Sequence, residues 1–192
     1  MTEVNRPAEV EHYSGVARFF HWLTVVLVAI MLSTGLFMVY RAKDLNIWDD
    51  LTNTLYSTHK TTGLLLLAVI VSRLVYRLVH GAPDDEPTLN IFHRFMSHAT
   101  HWAIYGLLIL MPLLGWLGIS LFPALQIFGG YSIPPLTAPD QGLSKQVFAL
   151  HEFFAYVLMI LIGMHIGAAL YHHTIRGDNV LRRMLPGIKR RG

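Results

Sequence analysis

The sequence contains no cysteine, and that absence excludes several kinds of site at once. Disulfides, iron–sulfur clusters and zinc sites built on thiolates all require cysteine. Charge is also scarce, because only 14% of the 192 residues are charged whereas 53% are hydrophobic. In an ordinary soluble domain about 25% of the residues are charged. The composition therefore predicts a single domain, residues 1–192, that lies largely in lipid.

The net charge of +3 does not by itself indicate a nucleic-acid partner. The basic residues form no stripe along a polar helix; they lie between apolar runs and at the two ends of the chain. Such a distribution is typical of a protein in a bilayer. We therefore expect membrane lipid, and no nucleic acid, as a partner.

Four apolar runs are long enough to cross a bilayer, which takes about 20 residues. They cover approximately residues 19–40, 61–80, 99–122 and 147–171. Turn-forming glycine and proline residues separate them. The first run is too long for the apolar part of a signal peptide, and no small-residue cleavage site follows it, so we interpret it as a retained span. The pattern predicts an all-α, transmembrane four-helix bundle.

Lysine and arginine are distributed unevenly between the two sides of that bundle. Eleven of them lie on one side: Arg6, Arg18, Arg73, Arg77, Arg94, Arg176, Arg182, Arg183, Lys189, Arg190 and Arg191. Four lie on the other: Arg41, Lys43, Lys60 and Lys145. Because Lys and Arg are enriched in cytoplasmic segments, both termini are predicted to face the cytoplasm.

Eleven histidines coexist with this apolar composition. Polar side chains within a membrane span are costly, so they are candidates for function. His21 lies at the inner end of the first run, His59 at the outer end of the second, and His151 and His165 on the fourth. His151 and His165 are 14 residues apart, so they share one helix face at two depths separated by roughly 21 Å.

Each of these histidines is predicted to pair with the one that lies at the same depth in the membrane. His21 and His165 lie at the inner level, and His59 and His151 at the outer level. Four-helix bundles build cofactor sites between facing helices. Two imidazoles on opposite sides of an iron suit a low-spin haem that transfers electrons. The alternative, in which each histidine simply hydrogen-bonds a neighbouring helix, does not explain why all four match in depth.

Small and charged residues recur near these histidines. Gly35 lies 14 residues after His21, and Gly63 lies one turn from His59, so either glycine leaves room for a flat macrocycle or simply allows close helix packing. Arg73, 14 residues after His59, is a candidate partner of a haem propionate at the inner level. Lys60 is a candidate partner of a haem propionate at the outer level. For Arg73 and the neighbouring Arg77 the alternative is that each extends its side chain to the inner membrane surface.

His98 and His101 are spaced three apart at the start of the third run. They therefore share one helix face at the inner level. Either they lie near a haem edge, a propionate or a quinone, or they occupy the headgroup zone of the bilayer.

Short motifs in a fixed order extend over nearly the whole chain. They are Arg18-Phe19-Phe20-His21-Trp22, His59-Lys60-Thr61-Thr62-Gly63, Ser72-Arg73-Leu74, His98 with His101, His151-Glu152 through His165 to His172-His173, Gly177-Asp178-Asn179 and Arg183-Met184-Leu185-Pro186. In this order and spacing they resemble the prokaryotic cytochrome b561 family. The resemblance implies two b haems in the bacterial cytoplasmic (inner) membrane, with four axial ligands: His21, His59, His151 and His165.

The resemblance also implies candidate electron donors and acceptors. One branch of the family oxidises superoxide outside the cytoplasmic membrane and reduces ubiquinone, which would make this chain an oxidoreductase. For such a donor, the outer cations would steer the superoxide anion. Related cytochromes connect quinones with hydrogenases or other dehydrogenases, so a quinol-linked subunit with such a partner is the alternative.

A metal transporter that uses the histidines as transient ligands is a rival from another class. Sites for divalent metals usually include carboxylates, because hard ions prefer oxygen. Glu152 is the only acidic residue within the four predicted spans. The sequence therefore favours electron transfer over transport.

Overall fold

The computed structural model describes residues 12–87 and 89–185. Its four long helices are α1, Gly15–Val39; α2, Asp50–His80; α3, Ile91–Leu121; and α4, Gln141–Tyr171. Short π-helical turns, Tyr40–Asp44 and His172–Arg176, extend α1 and α4. The described residues form no β-strand beyond a single bridge in the connection between α3 and α4.

All four helices are long and apolar enough to cross a membrane. This confirms the predicted all-α transmembrane four-helix bundle. Which end faces the cytoplasm stays a prediction, and five residues used at the sequence level lie outside the described part of the chain: Arg6, Pro186, Lys189, Arg190 and Arg191.

The helices begin earlier than the apolar runs. The largest difference is in α2, which begins at Asp50 rather than near residue 61, and α3 begins at Ile91 rather than near residue 99. A polar side chain before each helix accepts a hydrogen bond from an N–H of its first turn, which satisfies a donor that otherwise lacks a partner. The four capping residues are Ser14, Asp49, Asn90 and Asp140. Hydrophobicity alone locates the lipid-facing part of a helix and misses these capped extensions.

Close backbone packing follows chain order, with α1 on α2, α2 on α3 and α3 on α4. By contrast, α4 has no comparable backbone contact with α1 or α2. A buried apolar cluster from all four helices fills the middle of the bundle. Its members Val28, Leu66 and Leu158 each lie seven residues, about two turns, from one of the four candidate histidines. The apolar core thus separates an inner from an outer histidine level.

Candidate functional site

The structure brings the four histidines together in the two predicted pairs. The ring centroids of His21 and His165 are 6.3 Å apart, with an interplanar angle of 67°. Those of His59 and His151 are also 6.3 Å apart, with an angle of 71°. The inner pair connects α4 with α1, and the outer pair connects α4 with α2. In both cases the rings bridge helices that lack close backbone packing.

This spacing fits one iron between the two rings of each pair. An imidazole nitrogen binds a transition metal at about 2 Å, and the ring centroid lies about 1.2 Å behind that nitrogen, so two opposed rings have centroids about 6.4 Å apart. In residues 12–87 and 89–185, no group of three or more His, Cys, Asp or Glu side chains could hold a metal ion. A metal in these pairs therefore needs further ligands of its own, which a haem macrocycle supplies.

A neutral hydroxyl group orients one ring of the outer pair. The Thr34 hydroxyl has one proton, which it donates to the Ile30 carbonyl at 2.7 Å. The same oxygen lies 3.3 Å from His59 Nδ1, so it accepts a hydrogen bond from the protonated Nδ1. His59 Nε2 is thereby left with a free lone pair, the state that an iron ligand requires.

Two glycines give the outer imidazoles their space. A Cβ at Gly35 would lie 3.0 Å from His59 Cε1, and one at Gly115 would lie 3.3 Å from His151 Cε1. Gly63 instead faces the Met31 methyl group, so it contributes to helix packing between α1 and α2. Thr34 and Gly115 were missed at the sequence level, because neither belongs to a motif or shares a helix with the histidine that it contacts.

The inner pair has charged and polar neighbours. An Arg73 Nη2–H donates to His21 Nδ1 at 3.0 Å. The ring of His101 lies 5.2 Å from that of His165, which places a third imidazole beside the pair. His98 lies away from the pair and hydrogen-bonds the Asp85 carboxylate at 3.1 Å. The structure thus separates two histidines that the sequence treats alike.

Lys60 lies next to His59, and its ammonium group donates to two carbonyls of the outer connection. These belong to Ala124, at 3.0 Å, and to Gln126. Further along, Trp116 Nε1–H donates to the Pro134 carbonyl at 2.8 Å. The connection between α3 and α4 is therefore fastened to α2 and α3 beside the outer pair.

Most of the outer cations have local partners. Lys43 contacts Glu152 at 3.2 Å, and Arg41 contacts Asp49 at 2.6 Å. Hydrogen bonds from the Thr52 N–H and the Arg41 guanidinium lower the pKa of Asp49 from 3.8 to about 2. Because these partners offset much of the positive charge, the outer cations exert a weaker local field than their number implies.

The C-terminal segment closes the inner end of the bundle. Trp22 Nε1–H, next to His21, donates to the Met184 carbonyl at 3.0 Å. His172 is buried against the Asp178 carboxylate, with His172 Nδ1 and the nearest oxygen 2.5 Å apart. No sequence pattern predicted these contacts, although the residues that make them belong to the family-like motifs.

Comparison with known proteins finds a matching family model and several similar proteins. A family model described as prokaryotic cytochrome b561 matches residues 12–187. The chain is 32% identical to cytochrome b561 homolog 2 of Escherichia coli, covering 96% of this chain and 95% of that protein. It is 27% identical to cytochrome b561 homolog 1 of E. coli, covering 92% and 98%. It is 28% identical to the probable superoxide oxidase CybB of Yersinia pestis, covering 94% and 98%.

Proposed function

The chain belongs to the prokaryotic cytochrome b561 family, and from that premise we propose that it carries electrons between an outer and an inner haem b within one domain of the bacterial inner membrane. His59 and His151 would hold the outer haem, and His21 and His165 the inner one. The observation that carries this proposal is the equal centroid spacing of 6.3 Å in both pairs.

Haem b supplies the reversible one-electron chemistry of iron, and the side chains described here supply its setting. Thr34 fixes the orientation of His59, and Gly35 and Gly115 admit the outer rings. The buried apolar cluster between the two levels keeps water from the middle of the bundle. His101, beside His165, is our candidate neighbour of the inner haem or of a quinone.

For the donor and acceptor we propose superoxide outside the membrane and ubiquinone within it. Two superoxide anions would each lose one electron and become O2, and one ubiquinone would take up both electrons and two protons to become ubiquinol. The similarity over 94% of the chain to a protein named a probable superoxide oxidase supports this choice. The alternative function is that of a quinol-linked cytochrome b subunit in a larger hydrogenase or another dehydrogenase.

The test is ubiquinol formation in proteoliposomes that contain ubiquinone and receive superoxide from outside. We expect ubiquinol to accumulate, superoxide dismutase to stop it, and His151→Ala to abolish it. His12→Ala, at an exposed histidine that belongs to neither pair, is the matched control and should retain activity. A protein that superoxide does not reduce, but that copurifies with a dehydrogenase or hydrogenase and accepts its electrons, contradicts the superoxide proposal.

A further inference from the structure

Two arginines lie on successive turns of α2 at the inner level. Arg73 and Arg77 are both partly buried, and neither takes part in an ion pair with a described residue. Both guanidinium groups lie over the Tyr105 ring, at 5.2 and 6.0 Å from its centroid. Like charges four residues apart on a helix repel, and a charge within a membrane span is costly unless it is paired.

The two arginines line a small cavity at this end of the bundle. It measures about 20 Å³, and Tyr13, Tyr76 and Met184 also line it. A cavity of this size accepts about one water-sized group. Among the residues that the structure describes, no carboxylate lines it. Both charged groups that line this space among the described residues are therefore cationic, and the space admits an oxygen atom.

The hydrogen bond from Arg73 to His21 cannot neutralise the Arg73 charge, and it is lost once His21 binds iron. A neutral imidazole that gives Nε2 to a metal carries its proton on Nδ1, and a protonated Nδ1 cannot accept from an arginine. Arg73 then keeps the Tyr105 hydroxyl as a neutral partner, and its positive charge still lacks an anion. The outer pair presents no such conflict, because His59 already donates from Nδ1 to Thr34.

We propose that Arg73 and Arg77 bind one oxyanion, a carboxylate or a phosphate, at the inner end of α2. Guanidinium groups bind both kinds of anion through paired N–H donors. Two sources offer this chemistry here: a propionate of the inner haem, which rests on the function proposed above, and the phosphate of an anionic lipid in the same leaflet, which does not.

The lipid source is tested with the full chain in nanodiscs of phosphatidylglycerol or of phosphatidylcholine. If the anion is a lipid phosphate, phosphatidylglycerol raises the Tm of the native chain, and Arg73→Gln and Arg77→Gln each lose that gain. Arg94→Gln is the matched control, because it removes one charge at the same end of the bundle from an arginine that is already paired with Asp85. This arm needs no haem, so it remains decisive if the chain binds none.

The propionate source is tested on the haem-loaded chain, with haem labelled with ¹³C at its propionate carboxyl groups. If the anion is a propionate, labelled carboxylate bands in the redox-difference infrared spectrum shift in Arg73→Gln and Arg77→Gln and are unchanged in Arg94→Gln. The proposal is overturned if neither the lipid-dependent Tm gain nor the carboxylate bands change in either cavity variant.

Discussion

The two histidine levels share the same ring spacing but differ in what surrounds the rings. At the outer level the groups that contact the rings are neutral, namely the Thr34 hydroxyl, Gly35 and Gly115, and the one neighbouring cation, Lys60, is bound to carbonyls of the outer connection. At the inner level the Arg73 guanidinium lies close to His21, the Arg77 guanidinium lies over the same Tyr105 ring as Arg73, and His101 lies beside His165. Positive charge disfavours the additional positive charge of an oxidised haem iron. We therefore expect the inner haem to have the higher reduction potential, which favours electron flow from outside to inside.

The largest expected effect comes from removing one proposed haem ligand at each level. His59→Ala should abolish haem binding at the outer level and retain it at the inner level, and His21→Ala should do the reverse, because the apolar core separates the two pairs. The pyridine haemochrome assay should show half of the native haem content in each variant. Loss of both haems from a variant whose helix content is native would contradict independent sites.

A substitution that adds a single methyl group tests whether the His59 ring needs the space that a glycine leaves beside it. Gly35→Ala places a Cβ 3.0 Å from His59 Cε1, so the ring must move, and we expect a lower outer haem content with the inner haem retained. Gly106→Ala is the matched control, because a Cβ there meets nothing within 4 Å. Equal haem content in the two variants would show that the outer ring adapts without loss.

Charge removal at the inner level tests the predicted difference in potential. Arg73→Gln should lower the inner potential by on the order of 60 mV, about 1.4 kcal/mol, and leave the outer potential unchanged. Potentiometric titration of the haem absorbance measures both values. A shift of the outer potential alone would reverse the assignment of the two levels.

Substitution of Lys60 tests whether its hydrogen bonds hold the connection between α3 and α4 beside His59. Lys60→Met should raise hydrogen exchange in residues 122–140, because two carbonyls lose their donor. It should also slow haem reduction by superoxide at low salt, where a lost positive charge has most effect. Lys60→Arg, which retains donors and charge, should behave as the native chain. Native exchange in Lys60→Met would show that the connection holds without this contact.

The smallest expected effect is the acid response of the cap of α2. The folded pKa of Asp49, about 2, lies below its ordinary value of 3.8, so the charged carboxylate stabilises the fold above about pH 4. That contribution should disappear as the pH falls from 4 towards 2. Asp49→Asn should remove this part of the pH dependence of unfolding, as followed by circular dichroism. An unchanged pH profile would exclude a contribution from the cap.

The histidine pairing could be predicted because it depends only on depth and helix periodicity. The number of apolar runs gives the alternating direction of the helices, and a spacing of 14 residues places His151 and His165 on one face. The tautomer of His59 could not be predicted, because it depends on the side-chain orientation of Thr34 on another helix. The partners of Lys60 are carbonyls of an irregular connection, whose course no periodic pattern specifies.

Helix periodicity also could not predict that His98 and His101 have different neighbours. Residues three apart share a helix face in general, but His101 lies beside His165 whereas the side chain of His98 reaches Asp85 in the preceding connection. The early start of α2 has a similar origin, because Asp49 caps the helix in a segment that is not apolar. Sequence patterns thus located the levels of the site, and side-chain contacts between elements determined its details.

The most direct test of the central claim is the haem content and optical spectrum of the purified native chain. We predict two haems b per chain in the pyridine haemochrome assay, with the sharp bands of a low-spin, bis-histidine cytochrome after reduction. A colourless protein from cells well supplied with haem, or a single haem that survives loss of either histidine pair, would contradict the account.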